Sequence, residues 1–396
     1  MAQIEPFAAL RPRPDWAAKI CELPYDVLSS AEARDVAGDN PLSFLRVSKP
    51  EIDLPAAVEP DDPQVYARGR ENFKRLLAQG ALRQDASPSF YFYRQIMDRH
   101  SQTGLVAVAS CRDYRHGIIK KHESTHPDKE DDRARHIEAL QAQTGPALLF
   151  YRAGKALNEF TARHTAGTPD VDFVARDGIR HSSWTVRDPA DIQSIKDAFA
   201  RIPSLYIADG HHRTAAAARG RSGFFLSVIF PHNQMHILPY HRVLRDLNGL
   251  SPARLLKKLE EVFIVAPGGP PAGGTVHELG LYLDGAWRAL RFRPEIAQAG
   301  EAVDRLDVSL LQRRVLAPLF GIEDPRTSRR IQFVGGIRGT AELEKLVNAG
   351  QFACAFALSP ARVEDLMAIA DAGGVMPPKS TWFEPKLRDG MFCHML

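Results

Sequence analysis

The chain has 396 residues, of which 44% are hydrophobic and 25% charged, as is typical of a globular protein with a large apolar core. Its 51 basic and 48 acidic side chains give a net charge of +3, which leaves no excess positive charge to neutralise a nucleic-acid backbone. The four cysteines show no paired spacing, the first residues do not resemble a signal peptide and no apolar run could span a membrane, so we expect a cytoplasmic protein that binds neither nucleic acid nor membrane.

The N-terminal region is rich in proline, and Pro24 fixes the backbone just before Tyr25 and Asp26. Such a rigid loop can present side chains to a ligand, so Tyr25 and Asp26 are candidate substrate-binding residues. A simple proline-set turn explains the same residues equally well. An amphipathic helix is predicted over 60–82, because apolar residues recur there at helical spacing before Gly80.

Two neighbouring strands, Ser89–Gln95 and Gly104–Asp113, are predicted next from their aromatic and apolar residues. A literal H-E-x-x-H motif then spans His122 to His126. A zinc protease needs both histidines on one helix face, but Pro127 disfavours helical backbone at the residue before it. We therefore predict that a helix begins only after Pro127, and metal-dependent hydrolysis through His122 and His126 is the least favoured function.

The residues around this motif are better explained as part of an active site. They lie in a strand end or loop, where no helix argument accounts for their charge, and they are Lys120, Lys121, His122 and Glu123. Glu123 is the preferred general base, since it has no evident structural duty. The acidic first turn of the following helix has a structural explanation, because carboxylates there complement the helix dipole.

The central motif is Asp209-Gly210-His211-His212-Arg213, which lies between an apolar strand ending at Ala208 and a helix beginning at Thr214. The first backbone N–H groups of a helix are unpaired and favour an anion, and arginine adds a bidentate donor for phosphate oxygens. This run therefore predicts a phosphate-binding turn. In the alternative interpretation, Asp209 only caps the helix and the histidines are surface residues.

Other elements are predicted by apolar runs, turn residues and helix-stop signals. The strands are 147–151, two within 173–186 joined at Asp177-Gly178, 224–230, two within 275–293 joined at Asp284-Gly285, 330–334 and 352–358. The helices are 157–164, 191–202, 307–316, 341–349 and 363–372, and residues 267–274 form a surface loop. This alternation predicts a mixed α/β (α+β) protein. The predicted segments are 1–100 (N-terminal α/β), 101–250 (central core with the phosphate motif) and 251–396 (C-terminal α/β lobe).

Two further stretches carry residue types that suit the same pocket. His241 and Arg242 follow a short apolar run and either return to the pocket or form an incidental basic pair on an exposed loop. The C-terminal tail combines prolines with Lys379, Ser380, Thr381, Glu384 and Lys386. Lysines and hydroxyls suit phosphate oxygens, and Glu384 suits a cation or a substrate amine, although such tails are also commonly solvated.

These motifs together resemble the family filed as domain of unknown function 1015, over nearly the whole chain. The matching runs are Pro24 to Val27, Lys120 to Glu123, Asp131 to Arg133 with His136, Asp209 to Arg213, Ile237 to Val243 and Met376 to Lys386. By this match the candidate substrate-binding residues include, besides Tyr25 and Asp26, the residues His122, Arg133, His136, His241, Arg242 and Glu384.

The Asp-Gly-His-His-Arg run is also similar to the phosphate-binding motif of the ParB and sulfiredoxin superfamily, most closely in its free-serine kinase branch. That resemblance implies a ParB/sulfiredoxin-like core with additional mixed-sheet elaborations. It also implies an enzyme that uses ADP or ATP with Mg²⁺ and acts on serine or phosphoserine. It is an analogy at the level of the site.

The sequence thus predicts a phosphotransferase whose partners are a nucleotide and a small hydroxylated metabolite, and leaves the oligomeric state open. Phosphoryl transfer depends mainly on positioning and charge neutralisation. The catalytic residues are Glu123, Asp209, His211 and His212. The phosphate-binding residues are Gly210, His211, His212, Arg213, Lys120, Lys121, Lys379, Ser380, Thr381 and Lys386, and Asp209 is the candidate Mg²⁺ ligand. The alternative is a nucleotide-binding switch that hydrolyses slowly or not at all.

Overall fold

A computed structural model describes residues 1–269, 275–298 and 300–396. The chain forms two compact units, of which the first comprises Met1–Met235 with Pro385–Leu396 and the second comprises His236–Glu384. This division differs from the three predicted segments. The predicted boundary at residue 100 cuts a hairpin whose two strands pair from Tyr91 with Val106 to Met97 with His100, so these residues cannot separate into different domains.

The secondary structure mixes helices and strands throughout, which confirms the predicted mixed α/β class. The strands are β1 Ile4–Glu5, β2 Leu10–Pro12, β3 Leu82–Gln84, β4 Phe90–Met97, β5 His100–Ser110, β6 Ile119–Lys120, β7 Ala142–Gln143, β8 Ala147–Tyr151, β9 Val171–Val174, β10 Arg180–Val186, β11 Leu205–Asp209, β12 Phe224–Pro231, β13 His236–Leu238, β14 Tyr240–Leu244, β15 Phe263–Pro267, β16 Glu278–Leu283, β17 Ala286–Phe292, β18 Ile331–Gly335, β19 Cys354–Ala357, β20 Trp382–Glu384 and β21 His394–Met395.

The helices have the following bounds. They are α1 Ala17–Ile20, α2 Ser30–Ala37, α3 Leu45–Ser48, α4 Pro63–Ala78, α5 Cys111–Arg115, α6 Pro127–Leu140, α7 Lys155–His164, α8 Pro189–Phe199, α9 His211–Arg219, α10 Pro252–Leu259, α11 Pro294–Ala297, α12 Asp307–Leu311, α13 Ala317–Phe320, α14 Gly339–Asn348 and α15 Val363–Asp371. Across the described ranges, each helix is too short or too polar to cross a membrane.

The first unit is built on a nine-stranded mixed sheet in the order β6-β11-β8-β12-β5-β4-β10-β9, with β1 added beside β5. The strand β11 pairs in parallel with β6 and antiparallel with β8, and β12 pairs in parallel with β8. The apolar run over 224–230 was predicted as a strand covered on both faces, and β12 is buried from Phe225 to Pro231. Its position between β8 and β5 explains why nearly every residue is apolar.

The segment after the second unit rejoins the first one. Strand β21 pairs with β7, Leu10 bridges to Cys393, and Glu22 bridges to Asp389. These pairings hold Pro385–Leu396 inside the first unit and bury Met391 and Phe392 in its interior. The C-terminal segment is thus a structural part of this unit and not a frayed tail.

The second unit contains a six-stranded antiparallel sheet in the order β15-β17-β16-β19-β14-β18. The predicted hairpin turn is present, because Asp284 and Gly285 connect β16 to β17 with φ angles of 54° and 71°. The helix predicted over 307–316 instead begins as α12, continues as a π-helical turn over Gln312–Leu316 and runs past Pro318 in α13. The loop predicted over 267–274 lies largely outside the described residues.

Candidate functional site

The central motif forms a turn between strand β11 and helix α9. Gly210 has φ 90° and ψ 30°, a left-handed conformation that residues with side chains rarely adopt. A Cβ atom on Gly210 would also lie 3.3 Å from the Cα of Ala147, so glycine is needed for space as well. Because Gly210 has no side chain to cap helix α9, the first N–H groups of this nine-residue helix are offered to an anion.

Asp209 ends strand β11 and lies beside two cations. Its Oδ2 atom is 3.3 Å from the Nη2 of Arg213 and 3.6 Å from the Nζ of Lys386. Burial by itself favours the neutral carboxyl, but Lys386 and Arg213 outweigh burial and lower the pKa of Asp209 to about 2. Asp209 is therefore an ionised carboxylate that is already paired, and it is poorly suited to the predicted role of Mg²⁺ ligand.

Arg213 is a buried cation that contacts one backbone carbonyl and two carboxylates. Its Nη1 donates to the carbonyl of Pro146 at 2.7 Å, and its Nη2 lies 3.9 Å from the Oδ2 of Asp26 as well as near Asp209. Burial opposes its charge, but Asp26 and Asp209 raise the pKa of Arg213 above its ordinary value. These contacts hold two carboxylates in place, and the predicted contact of Arg213 with phosphate stays a prediction.

His211 forms a compact group with His122 and Glu123. The rings of His122 and His211 are perpendicular with centroids 4.5 Å apart, and Nδ1 of His211 is 3.6 Å from Oε2 of Glu123. One ligand atom from each of the three side chains lies within 4.8 Å of the others. Burial lowers the pKa of His122 to about 4 and that of His211 well below its ordinary value, so both imidazoles are neutral at pH 7.

The second histidine of the H-E-x-x-H motif has a different neighbour. Residues 121–126, all of which the structure describes, lie outside helices, and α6 begins at Pro127 as predicted. The His126 ring stacks on His212 at 6.0 Å, and the His126 backbone N–H donates to Nε2 of His212 at 3.2 Å. His122 and His126 are therefore not one turn apart on a helix, which is the arrangement that a zinc protease requires.

The lysines next to this motif are placed by strand β6. The backbone of Lys120 pairs with Tyr206 of β11, so this residue lies alongside the strand that carries Asp209. The Nζ of Lys121 lies 4.1 Å from the centroid of the Tyr114 ring, which is a cation–π contact. Their predicted contacts with phosphate stay predictions.

Three residues predicted to bind substrate instead surround a small buried cavity of about 30 Å³. The guanidinium of Arg133 lies over the Tyr25 ring at 3.9 Å, and a ring nitrogen of His136 is 2.8 Å from the carbonyl oxygen of Val47. Arg133 and His136 thus have contacts within the protein, and their predicted contact with substrate stays a prediction.

Asp389 lines the same cavity and was missed by the sequence analysis. Its side chain is buried, and its Oδ1 has no hydrogen-bond partner within the described residues. Burial raises the pKa of Asp389 to about 7, although Arg213 opposes the rise. The available signal was an acid in an otherwise apolar terminal segment that reads Gly390-Met391-Phe392-Cys393.

The remaining predicted residues belong to the second unit. His241 and Arg242 lie in strand β14 and are buried, which corrects the alternative of an exposed loop. The Nδ1 of His241 accepts from the backbone N–H of Leu358 at 3.2 Å, while Arg242 donates to the carbonyls of Tyr240 and Lys379. Burial lowers the pKa of His241 to about 4 and that of Arg242 to about 9.

The rest of the predicted tail also has contacts inside the second unit. Ser380 donates to the carbonyl of Pro377, and Glu384 accepts from the indole N–H of Trp382 at 2.6 Å. Lys379 and Ser380 line a cavity of about 320 Å³ that also contains His277 and Asp307. Thr381 is half-buried in the same stretch. Lys386 belongs to the first unit and lies beside Asp209.

The structure therefore brings seven of the predicted site residues together at the end of β11. The set that converges there consists of Asp26, His122, Glu123, Asp209, His211, Arg213 and Lys386.

Residues 4–309 match the family described as a protein of unknown function, DUF1015. The chain belongs to this family. Among curated proteins, none matches the chain.

Solved structures of similar proteins share little sequence with this one. A free serine kinase in complex with AMP is 16% identical, with 67% of this chain and 83% of that chain covered and a TM-score of 0.35. A conserved hypothetical protein from Pyrococcus furiosus is 15% identical, with coverages of 69% and 90% and a TM-score of 0.35. SbnI from Staphylococcus aureus with a C-terminal truncation is 11% identical, with coverages of 72% and 85% and a TM-score of 0.40.

Proposed function

We propose that the protein is a phosphotransferase that moves a phosphoryl group between an adenine nucleotide and a small hydroxylated metabolite. The observation that carries the proposal is the convergence of Lys386, Arg213 and Asp26 on Asp209, directly before the uncapped start of helix α9. Three distant parts of the sequence supply these charges. Such an arrangement suits a reaction in which the protein mainly positions phosphate and neutralises its charge.

The phosphate groups would bind at the first turn of α9. The backbone N–H groups of His211 and His212 and the positive end of the helix dipole supply the anion site, and Lys386 supplies a buried cation beside it. Arg213 holds Asp26 and Asp209 at the edge of this site. Mg²⁺ is assigned to the phosphates of the nucleotide, because Asp209 is already paired with two cations.

Asp26 is the group proposed to accept the proton of the acceptor hydroxyl. Its side chain is 39% exposed, and it shares the Nη2 of Arg213 with Asp209. Asp209 has a pKa of about 2 and is therefore a weak proton acceptor. Glu123, which the sequence suggested as the base, lies against His211. Serine is inferred as the acceptor, and phosphoserine as the donor in the reverse reaction, from the motif's resemblance to free-serine kinases.

Calorimetric titration with ADP, ATP and CTP tests nucleotide binding. We expect an adenine nucleotide to bind, and we expect Lys386→Gln to weaken binding at least tenfold, which corresponds to about 1.4 kcal/mol. The matched control is Lys196→Gln, which removes an ion pair with Glu5 elsewhere in the first unit. Equal nucleotide affinity for Lys386→Gln and Lys196→Gln would show that the anion site is misplaced.

Turnover is tested separately by ³¹P NMR of mixtures that contain nucleotide with serine or phosphoserine. Asp26→Asn should bind nucleotide with unchanged affinity and lose about 10²–10⁴-fold in rate, because proton transfer contributes about that much. Nucleotide binding without product from any hydroxylated acceptor would favour the alternative of a nucleotide-binding switch.

A further inference from the structure

We propose that His122, Glu123 and His211 form a binding site for a divalent transition metal of the zinc type. Two imidazoles and one carboxylate are the protein ligands of several catalytic zinc sites, whereas Mg²⁺ and Ca²⁺ prefer oxygen ligands. The site is formed by residues 89 positions apart in the chain, since the loop after β6 supplies His122 and Glu123 and the first turn of α9 supplies His211.

The spacing of the three side chains fits one ion after a small closing movement. Ligand atoms of a tetrahedral zinc ion lie about 3.4 Å from one another, given bonds of about 2.0–2.1 Å. The Nδ1 of His211 is already 3.6 Å from Oε2 of Glu123, and all three ligand atoms lie within 4.8 Å of one another. Because the side chain of Glu123 is 57% exposed, it can complete this movement without displacing packed atoms.

A second observation concerns the buried ring of His211. Only 4% of this residue is exposed, and its Nε2 has no hydrogen-bond partner within the described residues. Burial fixes the orientation of this ring with Nδ1 toward Glu123, so Nδ1 is the nitrogen that would bind the metal and Nε2 would carry the proton.

The site would leave one coordination position toward solvent, next to the proposed phosphate site. Three protein ligands with one open position are typical of catalytic zinc and not of structural zinc. The side chain of Glu123 is exposed, so the open coordination position would lie on its solvent side. His211 is also the first residue of helix α9, whose N-terminus forms the proposed phosphate site. The metal site does not depend on the proposed phosphotransferase function, because its ligands differ from Lys386, Asp26 and Asp209.

The test is metal content and metal affinity of the full chain without nucleotide. The protein is stripped with a chelator and titrated with Zn²⁺ or Co²⁺, with bound metal measured by mass spectrometry and Co²⁺ coordination by visible absorption. We expect one equivalent of metal and a tetrahedral Co²⁺ spectrum. Glu123→Gln and His211→Gln should each weaken binding at least tenfold.

The matched control is His126→Gln, since His126 completes the H-E-x-x-H sequence but lies against His212. It should keep full metal affinity. Loss of metal in His126→Gln with retention in His211→Gln would overturn the proposal, as would the absence of stoichiometric binding in the unaltered chain. Glu123→Gln changes an exposed side chain, so it remains informative even if His211→Gln does not fold. Nucleotide titrations of chelator-treated protein keep a failure of the phosphate site distinct from a failure of the metal site.

Discussion

Individual charged residues in the first unit are stabilised by very different surroundings. Asp209 is ionised because Lys386 and Arg213 outweigh its burial, whereas Asp389 lies in the same unit with a pKa raised to about 7 by burial. Arg213 is the residue common to both, since its charge lowers the pKa of each carboxyl. One buried arginine thus lies beside an ionised acid and beside a second acid that is about half protonated near pH 7.

Asp389→Asn tests this difference at the level of one residue. The pKa of Asp389 is raised in the folded state, so its contribution to stability is complete below about pH 4 and is lost as the pH rises through 7. Asparagine does not titrate. The stability of Asp389→Asn relative to the unaltered protein should therefore improve by about 2–3 kcal/mol between pH 5 and pH 8.

Urea unfolding of both proteins at the two pH values measures this change. The comparison cancels any constant cost of the new amide beside Arg213. A stability difference that does not depend on pH would contradict the raised pKa.

At the level of elements, local signals predicted most strands and helices of the site. The strand over 147–151 was predicted with the observed bounds of β8, and the start of α6 at Pro127 followed from backbone sterics alone. Helix α2 was missed, although Ser29 and Glu32 form a capping box at its start.

Partners between distant elements could not be predicted in the same way. The sequence predicts that Arg213 binds phosphate because its motif has that use elsewhere. It gave no sign that Arg213 also contacts the carbonyl of Pro146 and the carboxylate of Asp26, which lie far away in the sequence. Likewise, the partner of His122 in the sequence motif is His126, and its partner in space is His211. Local propensity determines where a helix begins, while tertiary packing determines which side chains meet there.

The turn between β11 and α9 depends on the absence of a side chain at Gly210. Gly210→Ala should destabilise the protein by about 1–2 kcal/mol from its left-handed backbone and by more from the contact with Ala147. Nucleotide affinity should fall as well, because the first turn of α9 would shift. Gly178→Ala is the matched control, since Gly178 has φ 80° but open space around its missing Cβ.

Chemical unfolding of both variants separates strain from close packing. Equal losses of stability for Gly210→Ala and Gly178→Ala would mean that only backbone strain matters at the turn, and the proposed tight approach to β8 would be wrong.

At the level of the whole molecule, buried neutral histidines are a common feature of both units. Burial lowers the pKa of His122 and His136 to about 4 in the first unit and that of His241 to about 4 in the second. It also lowers the pKa values of His181 and His211 well below the ordinary value. Each lowered pKa favours the unfolded state once the unfolded histidine takes up a proton. Burial raises the pKa values of Asp389 and Asp307. These two carboxyl groups therefore favour the folded state at low pH and the unfolded state as the pH rises.

The stability of the molecule in acid depends in part on His136, which is not part of the proposed metal site. A histidine with a folded pKa of about 4 and an ordinary value near 6.5 contributes stability that is complete above pH 6.5 and is lost as the pH falls toward 4. Between pH 7 and pH 5 this loss is about 2 kcal/mol per histidine. His136→Gln keeps a donor for the carbonyl of Val47 but cannot titrate, so its stability should fall less over this range.

Urea unfolding of chelator-treated protein measures the difference, with exposed His116→Gln as the control. If His136→Gln and His116→Gln lose stability equally on acidification, His136 is not held neutral by burial, and the acid sensitivity of the molecule has another source.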